Sequence, residues 1–283
     1  MAARLAYDAR PLVMAIINRT RDSSYTKDSM FAFQDALAAV ESAVAEGADV
    51  IDIGAIASSH QVEVVEAGEE AQRIVPLVQA IRERYPNVLI SIDTFRAEVA
   101  ERACEAGADL INDMWGSDLG MIDVAARYSV GLVCTHTGGL KHGESPRAVQ
   151  YQDVVVEVAA SLMAKASRAA EAGVAAEAIF IDPAHDFGKG TLHGLELLRR
   201  LDELVSLGWP VMLAVSRKYF LYETLGIPQD RLGPGSLAAA VVGARAGARM
   251  FRVHDVAQTR QAVDVVASIM GTRSTAVTNR WAD

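Results

Sequence analysis

Residues 87–94 read Asn-Val-Leu-Ile-Ser-Ile-Asp-Thr, a short apolar run that ends in a carboxylate. The run is rich in β-branched residues, follows the turn signal Tyr-Pro-Asn and is too short for an ordinary helix, which is typical of a parallel strand buried on both faces. A helical pattern begins at Ala97. A buried strand that carries a charged residue, Asp93, at its C-terminal tip indicates a ligand site above a parallel sheet.

The same arrangement recurs along the chain, at residues 50–54, 110–113 and 179–183. In all, the pattern predicts eight strand-then-helix units, with the other strands at 12–17, 131–134, 211–215 and 250–253. The predicted helices cover 31–45, 66–84, 97–105, 121–128, 151–172, 192–207, 236–246 and 258–270. Four of them are predicted to stop at a glycine shortly before the next strand: Gly47, Gly107, Gly173 and Gly247. We therefore predict an α/β fold, a single-domain (β/α)8 TIM barrel over residues 12–271, with an N-terminal arm (1–11) and a polar tail (272–283). A doubly wound open sheet is the alternative.

Composition narrows the functional class. The chain has 283 residues, 51% of them hydrophobic, and a net charge of −9 with dispersed basic residues, so a nucleic-acid partner is not expected. No apolar run approaches the roughly 20 residues that span a membrane, and no signal-peptide pattern opens the chain. Cys104 and Cys134 are isolated, which indicates buried thiols in a reducing compartment. We expect a cytoplasmic protein.

Residues at the C-terminal strand tips of a barrel face one common pocket. Here those tips supply three carboxylates, two carboxamides and several cationic or imidazole groups: Asn18, Asp52, Asp93, Asn112, His136, Asp182, Lys218, Arg252 and His254. The acids and amides suit the edge of a polar heterocycle. The basic groups follow the last two strands, where this fold commonly holds phosphate. The expected ligand has a polar ring at one end and an anion at the other, unless each polar tip merely caps a helix or pairs with a neighbour.

At these positions the chain resembles the dihydropteroate synthase family over about residues 12–270. The most specific matches are Gly-Ala-Asp-Val-Ile-Asp-Ile-Gly (47–54), Ser-Ile-Asp-Thr-Phe-Arg-Ala-Glu-Val-Ala (91–100), Ile-Asn-Asp (111–113), Ser-Arg-Lys (216–218) and Arg-Val-His-Asp-Val (252–256). The resemblance implies a pterin-binding TIM barrel of folate biosynthesis, a homodimeric, Mg²⁺-assisted transferase. It would join 6-hydroxymethyl-7,8-dihydropterin pyrophosphate to para-aminobenzoate and would also accept sulfonamide-type analogues.

The resemblance also assigns roles to individual residues. The pterin ring would be held by Asp93, Asn112, Asp182 and Lys218. Arg252 and His254 would bind the pyrophosphate, and Asn18 would contact the metal.

The chain departs from the family pattern around the aminobenzoate site and in the closing loops. The changed positions are Asp22 in the first loop, Ser58 and Ser59 in the second, His185 and Phe187 in the segment Asp-Pro-Ala-His-Asp-Phe-Gly-Lys (182–189), and Tyr219, where the family has a serine that helps seat the benzoate. Of these, His185 is either a new ligand contact or a solvated loop residue, and we expect the second. Because closing loops exclude water and complete an active site, we predict weak or absent dihydropteroate synthesis. The alternatives are an active synthase, a folate-dependent methyltransferase with a separate corrinoid partner, and a non-catalytic regulatory paralogue.

Overall fold

The computed structural model describes residues 10–20, 32–56, 65–115, 119–140, 144 and 149–277. Most of the predicted arm lies outside these ranges, as do the end of the predicted tail and the loop positions Asp22, Ser58 and Ser59.

Eight parallel strands form a barrel in the described part of the chain. They are β1 (Leu12–Asn18), β2 (Val50–Gly54), β3 (Leu89–Asp93), β4 (Leu110–Asp113), β5 (Gly131–Thr135), β6 (Ile179–Asp182), β7 (Met212–Leu213) and β8 (Met250–Val253). The order β6-β5-β4-β3-β2-β1-β8-β7 is completed by a parallel bridge between Ile181 and Val211. The predicted TIM barrel is confirmed, and the open sheet is excluded because the two end strands meet.

Helices surround the barrel on its outer side. They are α1 (Phe33–Ala45), α2 (Ala67–Arg84), α3 (Ala97–Glu105), α4 (Leu119–Tyr128), α5 (Val154–Glu171), α6 (Thr191–Arg199), α7 (Leu201–Val205), α8 (Tyr219–Leu225), α9 (Gly233–Ala246) and α10 (Val256–Ile269). Within the described ranges, no helix has the length and apolarity needed to cross a membrane.

Three elements differ from the sequence prediction. The predicted helix 192–207 is divided between α6 and α7 at Arg200, whose ψ of 29° leaves the helical region while its guanidinium pairs with Asp153 at 3.0 Å. The predicted strand 211–215 is a strand only over Met212–Leu213, with a single bridge at Val211, although residues 214 and 215 remain buried. Helix α8 was not predicted, and contacts from a distant loop hold its first turn, as described below.

The predicted glycine stops are confirmed. Gly47, Gly107, Gly173 and Gly247 follow helices with φ between +92° and +109°, a left-handed conformation that glycine adopts without steric cost.

The barrel interior is layered, because alternate strand residues face the same side. The lower layer is apolar and is filled mainly by Met14, Val50, Leu89, Leu110, Val133, Phe180, Met212 and Met250. Two residues further along five of these strands come Asp52, Ser91, Asn112, Asp182 and Arg252, all buried. The C-terminal half of the barrel therefore holds a polar layer above a sealed apolar plug, while a larger apolar core lies between sheet and helices.

Candidate functional site

The floor of the candidate site is a hydrogen-bonded cluster centred on Asp52, which is fully buried. Its carboxylate accepts hydrogen bonds from Arg252 Nε (2.6 Å), Ser91 Oγ (2.6 Å) and Asn112 Nδ2 (3.2 Å). Arg252 also donates to Asp93 Oδ2 at 2.7 Å. We call Asp52, Asp93, Asn112, Asp182 and Arg252 the pocket floor.

Two acceptor atoms of the pocket floor are buried without a hydrogen-bond partner in the described structure. The Asn112 side chain donates towards Asp52, and its Oδ1 is left unpaired. Asp182 Oδ1 accepts from the Ala184 backbone N–H at 2.8 Å, whereas Oδ2 has no partner. Buried acceptors are nearly always paired in folded proteins, so these two atoms are available to a donor from a ligand or a water molecule.

Burial controls the protonation of the acids. Burial raises the pKa of Asp93 to about 7, against the opposing effect of the nearby Arg252 guanidinium. It also raises the pKa of Asp182, which the Ala184 N–H partly opposes. Such shifts are typical of a site whose polar groups await a ligand.

One wall of the site is aromatic and cationic. The Phe187 ring lies edge-on to Trp115, with centroids 5.0 Å apart, and Lys218 Nζ lies 4.9 Å from the Phe187 centroid. Met114 and Ala184 complete this small buried cluster. Burial lowers the pKa of Lys218, while the Asp186 and Asp182 carboxylates oppose the change. The wall therefore offers an apolar face beside an ammonium group.

The opposite side of the site carries His254 and Asn18. His254 Nδ1 lies 3.0 Å from Ser216 Oγ, and burial lowers the imidazole pKa to about 3, so the ring is neutral. A Cβ at Gly54 would lie 3.2 Å from Asn18 Oδ1 and 3.5 Å from Asp93 Oδ2. The absence of a side chain at Gly54 thus lets the Asn18 and Asp93 oxygens lie close to the Gly54 backbone.

Comparison with known proteins identifies the family. A profile of the pterin binding enzyme family matches residues 14–254. The chain belongs to the pterin binding enzymes. It is 49% identical over 269 residues to a Mycobacterium leprae protein named "Inactive dihydropteroate synthase 2", covering 93% of this chain and 92% of that one. It is 36% identical over 273 residues to the dihydropteroate synthase of Streptococcus pyogenes, with 94% and 98% coverage.

A solved structure supports the same grouping. The Yersinia pestis dihydropteroate synthase with a sulfonamide drug complex is 31% identical and superposes with a TM-score of 0.86, covering 94% of this chain and 96% of that one. The predicted resemblance is confirmed, and this pterin binding enzyme is a divergent member of the dihydropteroate synthase group.

The most altered described segment of this family member follows β6. His185 was expected to be solvated, which is wrong: its side chain is fully buried, 5.2 Å from the Phe220 ring. The expectation failed because the loop folds back against α8 instead of projecting into solvent. Next to it, Lys189 Nζ donates to the carbonyls of His136 (2.9 Å), Ala184 (3.2 Å) and Phe187 (2.9 Å).

Position 219 is the other described departure. Tyr219 opens α8 with its side chain 49% exposed and packs edge-on against Tyr222, with centroids 6.5 Å apart. Its backbone N–H donates to Asp186 Oδ2 at 2.6 Å, and the Phe220 N–H donates to Asp186 Oδ1 at 3.2 Å. A carboxylate of the chain itself therefore occupies the first amides of this helix.

Two residues have a structural role that the sequence did not predict. Asp52 was recognised as a strand tip, but its position at the centre of the floor follows from its pairing with Ser91 across β2 and β3. Glu70 is fully buried on α2 and accepts from Thr94 Oγ1 (2.6 Å) and Arg96 (2.5 Å) beside the tip of β3. Glu70 gave no usable signal, because an acidic residue in the first turn of a helix is ordinarily solvated.

Proposed function

We propose that this protein binds a pterin and synthesises dihydropteroate weakly or not at all. In the family reaction, the pterin substrate is 6-hydroxymethyl-7,8-dihydropterin pyrophosphate. The observation that carries the proposal is the pair of unpaired acceptors in the described pocket floor, Asn112 Oδ1 and Asp182 Oδ2. The amino and ring N–H groups of a pterin are donors that would satisfy them. An apolar plug below and the Phe187 face beside them suit a flat ring.

The remaining polar groups divide the pocket between ring and anion. Asp93 and Lys218 would complete the contacts to the pterin, with the ammonium donating to a ring acceptor. Arg252 and the neutral His254 imidazole would contact the pyrophosphate. This division is supported by the separation of the aromatic wall at β6 and α8 from His254 at the end of β8.

Mg²⁺ is the proposed cofactor, and the residues present fit it. Mg²⁺ commonly takes only one or two protein oxygens and completes its coordination with water and substrate phosphates. Asn18 Oδ1, beside Gly54 and Asp93 at the pocket rim, would be such a ligand. When bound, the ion would neutralise charge on the pyrophosphate leaving group.

The residues around α8 support the loss of the step that uses para-aminobenzoate. Tyr219 places a large side chain where the resembling enzymes have a serine, and Asp186 already satisfies the backbone donors of residues 219 and 220. An aminobenzoate or sulfonamide approaching there would meet a like charge, which weakens binding. The name of the M. leprae relative, an inactive synthase, agrees with this interpretation.

Calorimetric titration with the pterin pyrophosphate and Mg²⁺, followed by para-aminobenzoate, tests both halves of the proposal. We expect a pterin Kd of about 10 µM or tighter, and product formation far below the roughly 1 per second of an ordinary enzyme. Asn112→Leu, which removes the unpaired acceptor at similar volume, is the matched control and should bind at least tenfold more weakly. Absence of wild-type binding would overturn the pterin pocket, and ordinary turnover would overturn the lost synthesis.

A homodimer is the proposed assembly. Neighbouring helices α9 and α10 expose apolar side chains, including Val242 (50%), Val265 (58%) and Ile269 (77%), and adjoining apolar groups favour burial against a second copy. Light scattering should give twice the 30.3 kDa chain mass. A monomer mass at micromolar concentration would contradict the assembly without affecting the pocket.

A reducing compartment, the cytoplasm, is the proposed location. Cys104 and Cys134 are both buried and free, and burial raises each thiol pKa to about 12, so neither is suited to disulfide chemistry. Cell fractionation that recovers the protein from an oxidising compartment would contradict this.

A further inference from the structure

The loop after β6 holds two non-glycine residues in the left-handed backbone region. Ala184 has φ +48° and Asp186 has φ +73°, a conformation that is sterically unfavourable for most side chains and less so for Asp. Such conformations persist only when surrounding contacts over-determine them. The contacts that hold this loop therefore indicate what its conformation is for.

The first part of the loop is fixed to the barrel. Asp182 accepts from the Ala184 N–H, and Lys189 Nζ binds the Ala184 and Phe187 carbonyls from beneath. These bonds set the Phe187 ring against Trp115.

The middle of the loop is fixed to α8 by Asp186. Its two carboxylate oxygens accept the backbone N–H groups of Tyr219 and Phe220. The Tyr219 N–H belongs to the peptide that carries the Lys218 carbonyl, and that carbonyl in turn accepts from the Leu221 N–H at 3.1 Å. Asp186 thus holds the peptide between Lys218 and Tyr219 through its N–H, while the helix holds the same peptide through its carbonyl.

We propose that Asp186 is a positioning residue that holds Lys218 against Phe187, in the orientation in which its ammonium group faces the pocket. The proposal rests on the pterin pocket proposed above for its functional meaning, but the placement of Lys218 is testable without any ligand. A glycine at this position could not supply either oxygen.

Charge strengthens the arrangement. The charged groups that face Lys218 are the carboxylates of Asp186, Asp182 and Asp93, the guanidinium of Arg252 and the ammonium group of Lys189, and among the carboxylates Asp186 has the largest effect on the Lys218 pKa. The titratable imidazoles of His185 and His254 also face Lys218. Asp186 itself faces Lys218 and, on α8, Glu223. Removing the Asp186 charge should therefore lower the Lys218 pKa further, because less negative charge would then oppose the effect of burial.

The experiment measures acetylation of Lys218 in the intact protein against pH by peptide mass spectrometry, with Lys165 as internal reference, and pterin pyrophosphate affinity by calorimetry. Asp186→Asn retains one acceptor oxygen and tolerates the left-handed backbone, so it should fold. We expect its Lys218 labelling midpoint to move to lower pH, labelling near neutral pH to be severalfold faster, and pterin affinity to fall about tenfold. Glu223→Gln, an exposed carboxylate on the same helix, is the matched control and should label as wild type.

Two further variants test whether Asp186 positions Lys218 or only caps α8. Asp186→Gly relaxes the backbone but removes both acceptors, and it should shift the labelling profile at least as far as Asp186→Asn. Asp186→Glu, which keeps the charge, should restore the midpoint in part. Wild-type labelling midpoints in both Asp186→Asn and Asp186→Gly would overturn the proposal. If the wild type binds no pterin, the proposed function fails, yet the labelling profiles still decide whether Asp186 positions Lys218.

Discussion

Asp49 and Asp52 are three residues apart, yet they belong to opposite ends of the barrel. Asp49, just before β2, accepts the Val13 backbone N–H at 2.9 Å and pairs with Arg260 (2.9 Å) and Arg10 (2.5 Å). Asp109, before β4, repeats the arrangement with the Ile90 N–H (3.0 Å) and Arg82. At the N-terminal end of the barrel, these acids are therefore satisfied by backbone amides and arginines of the same chain.

The C-terminal end uses the same residue types differently. Asp52 is fully paired, but its neighbours Asn112 and Asp182 each keep a buried oxygen that no described residue satisfies. A satisfied carboxylate contributes stability, whereas an unsatisfied one lowers it unless a ligand supplies the donor. The N-terminal end of this barrel therefore contributes stability through paired acids, whereas the C-terminal end keeps acceptors that a ligand could satisfy.

Arg252→Ala should give the largest effect, because it removes the cation between Asp52 and Asp93. Asp52 and Asp93 would then lie in the pocket floor without the guanidinium that bridges them, which costs about 3–5 kcal/mol of unfolding free energy near neutral pH. Urea unfolding measures the loss. Arg127→Ala, which removes an exposed partner of Glu101, is the control and should change stability by less than about 1 kcal/mol. A loss of less than about 1 kcal/mol for Arg252→Ala would mean that the floor is not a charge-balanced cluster.

The strands and their polar tips could be predicted from the sequence because their signals are local. An apolar run such as residues 89–92 followed by Asp93 carries both the strand and the tip within a few positions. The helices ending at Gly47 and Gly107 were marked in the same way. Parallel-strand register then brings the tips together in any barrel of this kind.

The features that the sequence did not predict depend on contacts between residues far apart in the chain. Asp186 and Tyr219 are 33 positions apart, so neither the start of α8 nor the burial of His185 has a local signature. The unpaired oxygen of Asn112 depends on which way its amide turns, and Asp52 decides that from another strand. Sequence periodicity identifies which residues enter the pocket, but not which of their atoms are left for a ligand.

Asp109→Ala tests the role of the N-terminal end of the barrel in stability. It leaves the Ile90 N–H without its side-chain acceptor and Arg82 without its carboxylate, and it should lower the unfolding free energy by about 2 kcal/mol. Pterin affinity of the folded protein should stay within about twofold of wild type, since the apolar plug separates Asp109 from the pocket. Urea unfolding and calorimetry on the same preparation check both expectations. A large affinity loss with little change in stability would reverse the assignment of the two ends.

Asp182→Asn should have the smallest effect, and one of opposite sign. Burial raises the pKa of Asp182 in the folded protein, so the folded state holds its proton more tightly than the unfolded state does. The corresponding stability is fully present below about pH 4, the ordinary carboxyl value, and is lost as pH rises through the raised pKa. The amide keeps the acceptor for the Ala184 N–H but cannot ionise.

Near neutral pH the Asp182→Asn variant should therefore be more stable than wild type by about 1 kcal/mol. This advantage should shrink as pH falls, and pterin affinity should decrease because the charged acceptor is gone. Unfolding free energies of both proteins between about pH 4 and pH 8 isolate the contribution of this one group, because the other carboxylates are common to both. An advantage that grows at low pH would show that Asp182 is stabilised as a carboxylate. The C-terminal end would then be satisfied internally, as the N-terminal end is.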